Sequence, residues 1–353
     1  MPFGVEGGRS RKGSKRVDLG AVVVVPARED LTAIDEAQFH APAASQKPRP
    51  LYSSRTPILG NDVLQSWMVL IRKLGVQSLW LTSGPRDASV ASAALAEIAR
   101  QGVERLLVIK LKSYAEMDLA DLLRFHCDSR NPVTEAQDAG GQLGVCLLDH
   151  LALHATGAKY EFSCAQADSG RTPYEFRGYA KRILSAGERH ELVGDALTGA
   201  CAMRPVGTEI REQVWVGEDV HLSSSARLIG PTYVGAHTVI CAGATIGPFA
   251  SVEHDCVVDC GTTVERSTVL PYTYLAPGLL IRHELVDGGY LEDLTWGVVA
   301  DLQPAGLGHR IQRRESRRPA FRESDVFSRS GSASAWPFTP SSTAAQPWLQ
   351  VQL

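Results

Sequence analysis

From about residue 17 the chain alternates unbroken apolar runs with stretches in which apolar positions recur every three or four residues. "GAVVVVPA" and "VQSLWLTSG" read as strands, as does "VERLLVIKL", where Leu106 to Ile109 form a run suited to burial on both faces of a sheet. "NDVLQSWMVLIRKLG" reads as a helix with Asn61 as its cap and Gly75 as its stop, and "DASVASAALAEIARQG" as a second helix. Leu119, Leu122, Leu123 and Phe125 give the segment from Asp118 to His126 an amphipathic helical face, and "QLGVCLLD" supplies a fourth strand. The order predicts a doubly wound α/β domain with a parallel sheet over residues 17–200. Ligands of such sheets sit at the carboxyl ends of the strands. Lys110 and Lys112 stand at that end of the third strand, and no carboxylate follows before Glu116. The span from Pro26 to Arg55 carries Pro42, Pro48 and Pro50 and little periodicity, which marks a functional or disordered connection.

At Val214 the pattern changes to sixes: VWVGED, VHLSSS, ARLIGP, TYVGAH, TVICAG, ATIGPF, ASVEHD, CVVDCG, TTVERS, TVLPYT. The third place is aliphatic ten times running, from Val216 through Leu222, Leu228, Val234, Ile240, Ile246, Val252, Val258 and Val264 to Leu270. With about a quarter of residues being Leu, Ile or Val, chance gives this on the order of once in a million. The first place is small or β-branched throughout. A six-residue period with one obligatory aliphatic predicts a hexapeptide β-helix, in which each six lays one short strand on a triangular coil. After Leu270 the register fades, and "LLIRHELVDGGYLEDLTWGVVADL" is expected to close the end of the coil. The domain reading is a basic tail over 1–16, the α/β domain over 17–200, the repeat with its closing segment over 201–311, and a tail rich in Arg, Ser and Pro over 312–353. Both tails are expected to be disordered.

Charge adds little. Lys plus Arg number 36 against 39 Asp plus Glu, so no field of one sign points to nucleic acid. The seven cysteines are scattered without a Cys-x-x-Cys pair, which predicts reduced thiols and no zinc site. No apolar run is long enough for a membrane span, so a cytoplasmic protein is expected.

The combination of an α/β domain and a hexapeptide β-helix resembles the sugar-1-phosphate nucleotidyltransferases, the group of mannose-1-phosphate guanylyltransferases and glucose-1-phosphate uridylyl- and thymidylyltransferases. "TPILGNDVLQSWMVLIRKLGVQSLWL" is similar to that family's Pro-Ile-Leu helix and following strand. "EMDLADLLRFHCDSRNPVTEAQDAGGQLGVCLLD" is similar to its stretch of Asp, helix, Phe-His, Thr and strand. Gly230, Pro231, Val234 and Gly235 match its G-P-x-x-V-G. The resemblance implies a Rossmann-like nucleotidyltransferase domain followed by a left-handed parallel β-helix, and side-to-side homo-oligomers through that helix. It implies a role in nucleotide-sugar or surface polysaccharide metabolism, with a nucleotide sugar or sugar phosphate as small-molecule partner.

The family's chemistry uses a Gly-rich loop after the first strand, a Lys in a Pro-Lys-Pro setting, and a Gly-Asp pair that with a second Asp holds magnesium. This chain has no glycine from Ala21 to Leu59. Lys47 stands near the place of the family's Lys, and Arg28 is the only other Lys or Arg between Ala21 and Lys47. The Gly-Asp pair aligns with Leu111 and Lys112, and "YEFRGYAKRILSAG" supplies no second metal Asp. The expectation is therefore a degenerate relative that binds or regulates, with Lys47, Lys110, Lys112 and Arg28 as candidate phosphate ligands and no metal or cofactor. The alternative is an active nucleotidyltransferase, which would need Mg2+. A second alternative is a hexapeptide acyltransferase using His221, His237 or His254 as general base, although no loop interrupts the ten sixes. His150 and His154, four apart after Asp149, could share a helix face, but no third metal ligand is evident.

Overall fold

The computed structural model describes residues 19–25, 56–76, 78–83, 98, 103–149, 152, 173–302, 306–311 and 348–351. Its first unit contains β1 (Leu19–Val25), α1 (Val63–Leu74), β2 (Ser78–Ser83), β3 (Arg105–Lys110), β4 (Ser113–Ala115), α2 (Leu119–Ser129), β5 (Val133–Asp138), β6 (Gly141–Asp149), β7 (Tyr174–Glu175), β8 (Ala180–Arg182) and α3 (Ala186–Thr198). Asp62, and not Asn61, caps α1, its carboxylate accepting from the Leu64 N–H at 2.9 Å; Gly75 ends the helix at φ +77° as predicted. The helix expected over 87–102 lies outside the described residues except for Ile98, which is helical and buried.

The main sheet runs in the order Trp348–Val351, β2, β1, β3, β6, β5, β7. It is mixed and not parallel. β1 pairs in parallel with β2 and β3, but β6 lies antiparallel to both β3 and β5. The α2 crossover sets β5 in the direction of β3 with one strand's width between them. The short turn at Ala139–Gly140 then folds β6 back into that gap, where only an antiparallel strand fits. β5 leaves no apolar run in the sequence because "VTEAQD" is too polar. Of residues 312–353, only Trp348–Val351 is described, as a strand antiparallel to β2.

The second unit lays short parallel strands on three sheets, visited in rotation. One holds Val214–Val216, Thr232–Val234, Ala250–Val252, Thr268–Val269 and Glu284–Asp287. The next holds His221–Leu222, Val239–Ile240, Val257–Val258 and Thr273–Leu275, and the third Arg227–Leu228, Thr245–Ile246, Thr263–Glu265 and Leu280–Arg282. This is compatible with a β-helix. The aliphatic stack is buried from Leu228 onward, each such side chain worth about 1.5–3 kcal/mol over exposure. Thr232, Thr238 and Thr262, at first places, are wholly buried and donate their hydroxyls to the carbonyls of Ala250, Glu253 and Ala276.

The tenth hit of the pattern is a coincidence. Val234 pairs with Val252, but Val252 pairs with Val269, one residue earlier than strict sixes allow. The coil contracts at the corner where Arg266 adopts φ +47°, so Val269 enters the stack. Leu270 turns outward instead, onto Ala186 of α3 and Leu285. In the shortened register the stack continues through Leu275, Ile281 and Val286, further than the fading pattern suggested. Left-handed backbone recurs at the corners, and at one of them it falls once per coil, at Asp219, His237, Asp255 and Tyr272. Tyr290–Asp293, Val299–Asp301 and Gly308–Arg310 close the end with antiparallel strands.

A tight turn joins the two units. Ile58 and Asn61 exchange both backbone hydrogen bonds around Leu59 and Gly60, whose φ values are +52° and +76°. Glu253, fully buried in the repeat, accepts from the Leu59 N–H at 2.7 Å and the Gly60 N–H at 3.0 Å. Ser251 donates to the same carboxyl at 3.2 Å. Tyr233 carries the α/β core across this junction, and α3 packs between the units. A capping box of Ser185 and Glu188 starts α3, and its His190 Nδ1 lies 3.0 Å from Thr268 Oγ1 of the repeat.

Glu253→Ala leaves the buried Leu59 N–H unpaired and takes the acceptor from the more exposed Gly60 N–H, and should cost about 1–3 kcal/mol, with Glu253→Gln costing less; urea denaturation measures both. An unchanged midpoint in Glu253→Ala would show that the clamp is dispensable. Burial, reinforced by the His283 and Arg266 charges, pushes the His190 imidazole down to about 4. Its folded value lies below its unfolded one, so its contribution is present above about 6.5 and lost as the pH falls toward 4. Between those values wild type should lose stability that His190→Gln does not lose, read as denaturation midpoints across the range.

Candidate functional site

β1 lies between β2 and β3, and all three are parallel, so their carboxyl ends share one edge. The chain leaves β1 toward β2 on one side and takes up β3 on the other. This is the topological switch at which an α/β sheet opens a crevice. The Leu111 N–H donates to the Val24 carbonyl at 3.0 Å across the edge, and the Lys112 N–H to the Lys110 carbonyl at 2.7 Å. The strand therefore ends at Lys110, and Lys112 sits in a tight turn. Strand alternation does not extend to Lys112, so it does not set the two lysines on one side, although Leu111 is wholly buried and both lysines are half-buried.

This turn is firmly held. The Lys112 carbonyl accepts from the Ile183 N–H at 3.0 Å, and Ser113 Oγ donates to the Leu143 carbonyl at 2.7 Å. Trp67 Nε1 donates to the Ser113 carbonyl at 3.1 Å. Gly144, at φ +76°, crosses so close that a Cβ would meet the Lys110 carbonyl oxygen at 3.0 Å. The sequence signal for that contact was "GGQLG", which reads equally well as a plain turn. Of the four predicted ligands, the structure brings Lys110 and Lys112 to this edge. Lys47 and Arg28 lie outside the described residues.

A magnesium ion needs converging oxygens. β8 runs beside this turn, with Ser113 opposite Arg182, and it brings two more cations. Arg182 pairs with Asp138 at 2.7 Å, and Lys181 pairs with Glu191 at 3.0 Å and Asp195 at 3.2 Å. Burial raises the Asp138 carboxyl, but Arg182 and the Gly140 N–H outweigh it and hold the group below the ordinary range. Among the described residues, no three carboxylate, imidazole or thiol groups converge at the strand ends. With an ammonium at position 112, the described residues at this edge do not fit the magnesium that the resemblance implies.

The His and Thr of the resemblance serve the core, and the Phe ring meets Tyr174 edge-on. His126 is buried, with Nδ1 2.8 Å from Thr134 Oγ1 and Nε2 3.2 Å from Asp149 Oδ1, and Arg105 holds that same carboxylate at 3.1 Å. Burial lowers the His126 pKa despite Asp149. The pair weighed beside Asp149, His150 and His154, lies outside the described residues. In the repeat, His221 is exposed, and His237 Nδ1 lies 3.7 Å from Asp219. His254 is taken up by Asp255 at 2.9 Å and by an edge contact with the Tyr272 ring. A surface groove of about 640 Å³ opens between α1 and the start of α2, lined by Lys73, Tyr114, Glu116 and Asp118; neither Lys110 nor Lys112 lines it. No helix among the described residues is long and apolar enough to cross a membrane.

No family profile matches the chain. It is 27% identical over 178 residues to the UTP–glucose-1-phosphate uridylyltransferase of Synechocystis sp. (strain ATCC 27184 / PCC 6803 / Kazusa), which covers 50% of this chain and 41% of that protein. It is 30% identical over 109 residues to the bifunctional protein GlmU of Bifidobacterium longum (strain NCC 2705), covering 28% of this chain and 22% of that one. The chain thus spans less than half the length of these curated relatives, and over half of its own length it is similar to a glucose-1-phosphate uridylyltransferase.

Proposed function

We propose that this chain is a nucleotidyltransferase-like protein of nucleotide-sugar or surface polysaccharide metabolism that has exchanged magnesium-dependent catalysis for metal-free binding. The observation that carries this reading is Lys112. It stands at the strand-end switch point, in the place where the resemblance puts the metal-binding Asp, in a turn fixed by Val24, Ile183 and Gly144. An ammonium there repels a divalent cation and attracts a phosphate. Lys110 is the second phosphate ligand, and Lys47 and Arg28 complete the set. The ligand class is a nucleotide sugar or sugar phosphate, and the protein acts by occupancy or regulation in the cytoplasm.

In this reading the three sheets close into a left-handed parallel β-helix; the passage of successive strands around three sheets supports the closure, and the hand comes from the resemblance. Homo-oligomers form through that helix. The similarity to a named uridylyltransferase supports a second reading, an active enzyme with Mg2+ supplied from elsewhere.

The test is pyrophosphate release by the purified full chain with Mg2+, each nucleoside triphosphate and a panel of sugar 1-phosphates. The proposal expects none above background, and turnover would overturn it. In parallel, a nucleotide sugar should raise the melting temperature of wild type, and Lys112→Glu should weaken that ligand's binding about 10- to 100-fold, the worth of one charged hydrogen bond. Lys112→Glu binding as tightly as wild type would remove Lys112 from the site.

A further inference from the structure

The corners of the repeat that follow the second sheet carry Gly243, Gly261 and Gly278, one per coil, each with φ between +70° and +74°. Three side chains converge beside the first two. The Cys241 N–H donates to the Val258 carbonyl at 2.9 Å, which sets Cys241 against Asp259 on the next coil, and Cys260 follows. The two Sγ atoms and an Asp259 carboxylate oxygen all lie within 4.8 Å of one another. Cys241 and Asp259 are half-buried and Cys260 is exposed, so solvent and ions reach the cluster. The carboxylate is oriented from both ends: Tyr274 donates its hydroxyl to Oδ2 at 2.8 Å, and the Cys260 N–H donates to Oδ1 at 2.7 Å. Tyr274 is steadied in turn by the His309 ring, 4.7 Å between centroids.

We propose that this corner is a binding site for a thiophilic divalent cation of the zinc class, held by the Cys241 and Cys260 thiolates and the Asp259 carboxylate. Tetrahedral zinc with bonds of about 2.3 Å to sulfur and 2.0–2.2 Å to oxygen sets its ligands about 3.5–3.8 Å apart. The three donors therefore need to close by no more than about an ångström. Two thiolates select against magnesium and calcium, and water takes the fourth position. Tyr274 is the partner that fixes a ligating carboxylate, a role that commonly governs metal affinity. Without the cation, burial and the Asp259 charge push the Cys241 thiol up to about 11, so binding displaces the thiol protons. The bound ion would pin two successive coils together. Sequence spacing conceals the site because the cysteines are separated by about one coil, a spacing foreign to the short Cys-x-x-Cys pairs of zinc motifs.

The experiment is a titration of the reduced, chelator-treated full chain with cobalt(II). One equivalent should give thiolate-to-cobalt charge-transfer absorption that zinc displaces, and zinc should raise the melting temperature. Cys241→Ser and Cys260→Ser should abolish both effects, with circular dichroism confirming that each variant folds. Tyr274→Phe, which removes no ligand, should keep the absorption and weaken cobalt binding by about tenfold or more. Absence of the absorption at excess cobalt would overturn the proposal. So would absorption that survives in the double serine variant, which would place the metal on other cysteines. A Cys241–Cys260 disulfide mapped in protein prepared without reductant, with no cobalt binding after reduction, would replace the metal site with a redox pair.

Discussion

The arrangement depends on one buried carboxyl. Glu253 supplies an acceptor for each of the two N–H groups that the Leu59–Gly60 turn points into the junction. Without it a tight turn with two left-handed residues, one of them a wholly buried leucine, would leave the Leu59 N–H without an acceptor away from water. Burial raises the Glu253 pKa, while the Gly60 and Leu59 N–H groups pull it down. The turn also leads into α1, whose Trp67 bonds the Ser113 carbonyl beside Lys112. The clamp therefore links the repeat to the edge where the candidate ligands stand.

Much of this was legible because burial has a period. The sixes revealed the repeat, since each inward aliphatic stacks on its counterpart and tolerates nothing polar. The same pattern misled at Leu270, where a one-residue contraction put one aliphatic out of the stack and its neighbour in. A run of Val, Leu and Thr carries both registers, and only the backbone distinguishes them. β5 was illegible for the opposite reason: its alternation is carried by Glu and Gln, which sequence reads as loop.

The candidate site was legible as a place and less so as a geometry. A buried strand ending in two lysines marks a mouth, and the structure sets that mouth at the switch point of the sheet. The turn that fixes Lys112 depends on Gly144, Ile183 and Ser113, contacts made across 30 to 70 residues of chain that no local pattern encodes. The thiol corner was hidden similarly, because proximity in a repeat is set by the coil length and not by adjacency. His126, by contrast, looked like part of a motif and proves to tie α2 to β5 and β6.

The central claim is that a lysine in the place of a metal-binding aspartate makes the strand-end crevice a metal-free phosphate site. Calorimetric titration of a uridine diphosphate sugar into the full chain, once with magnesium and once with chelator, tests this most directly. The account predicts the same dissociation constant in both, with binding that weakens as salt screens the lysines. Binding that appears only with magnesium would contradict it and place a metal where the structure puts an ammonium.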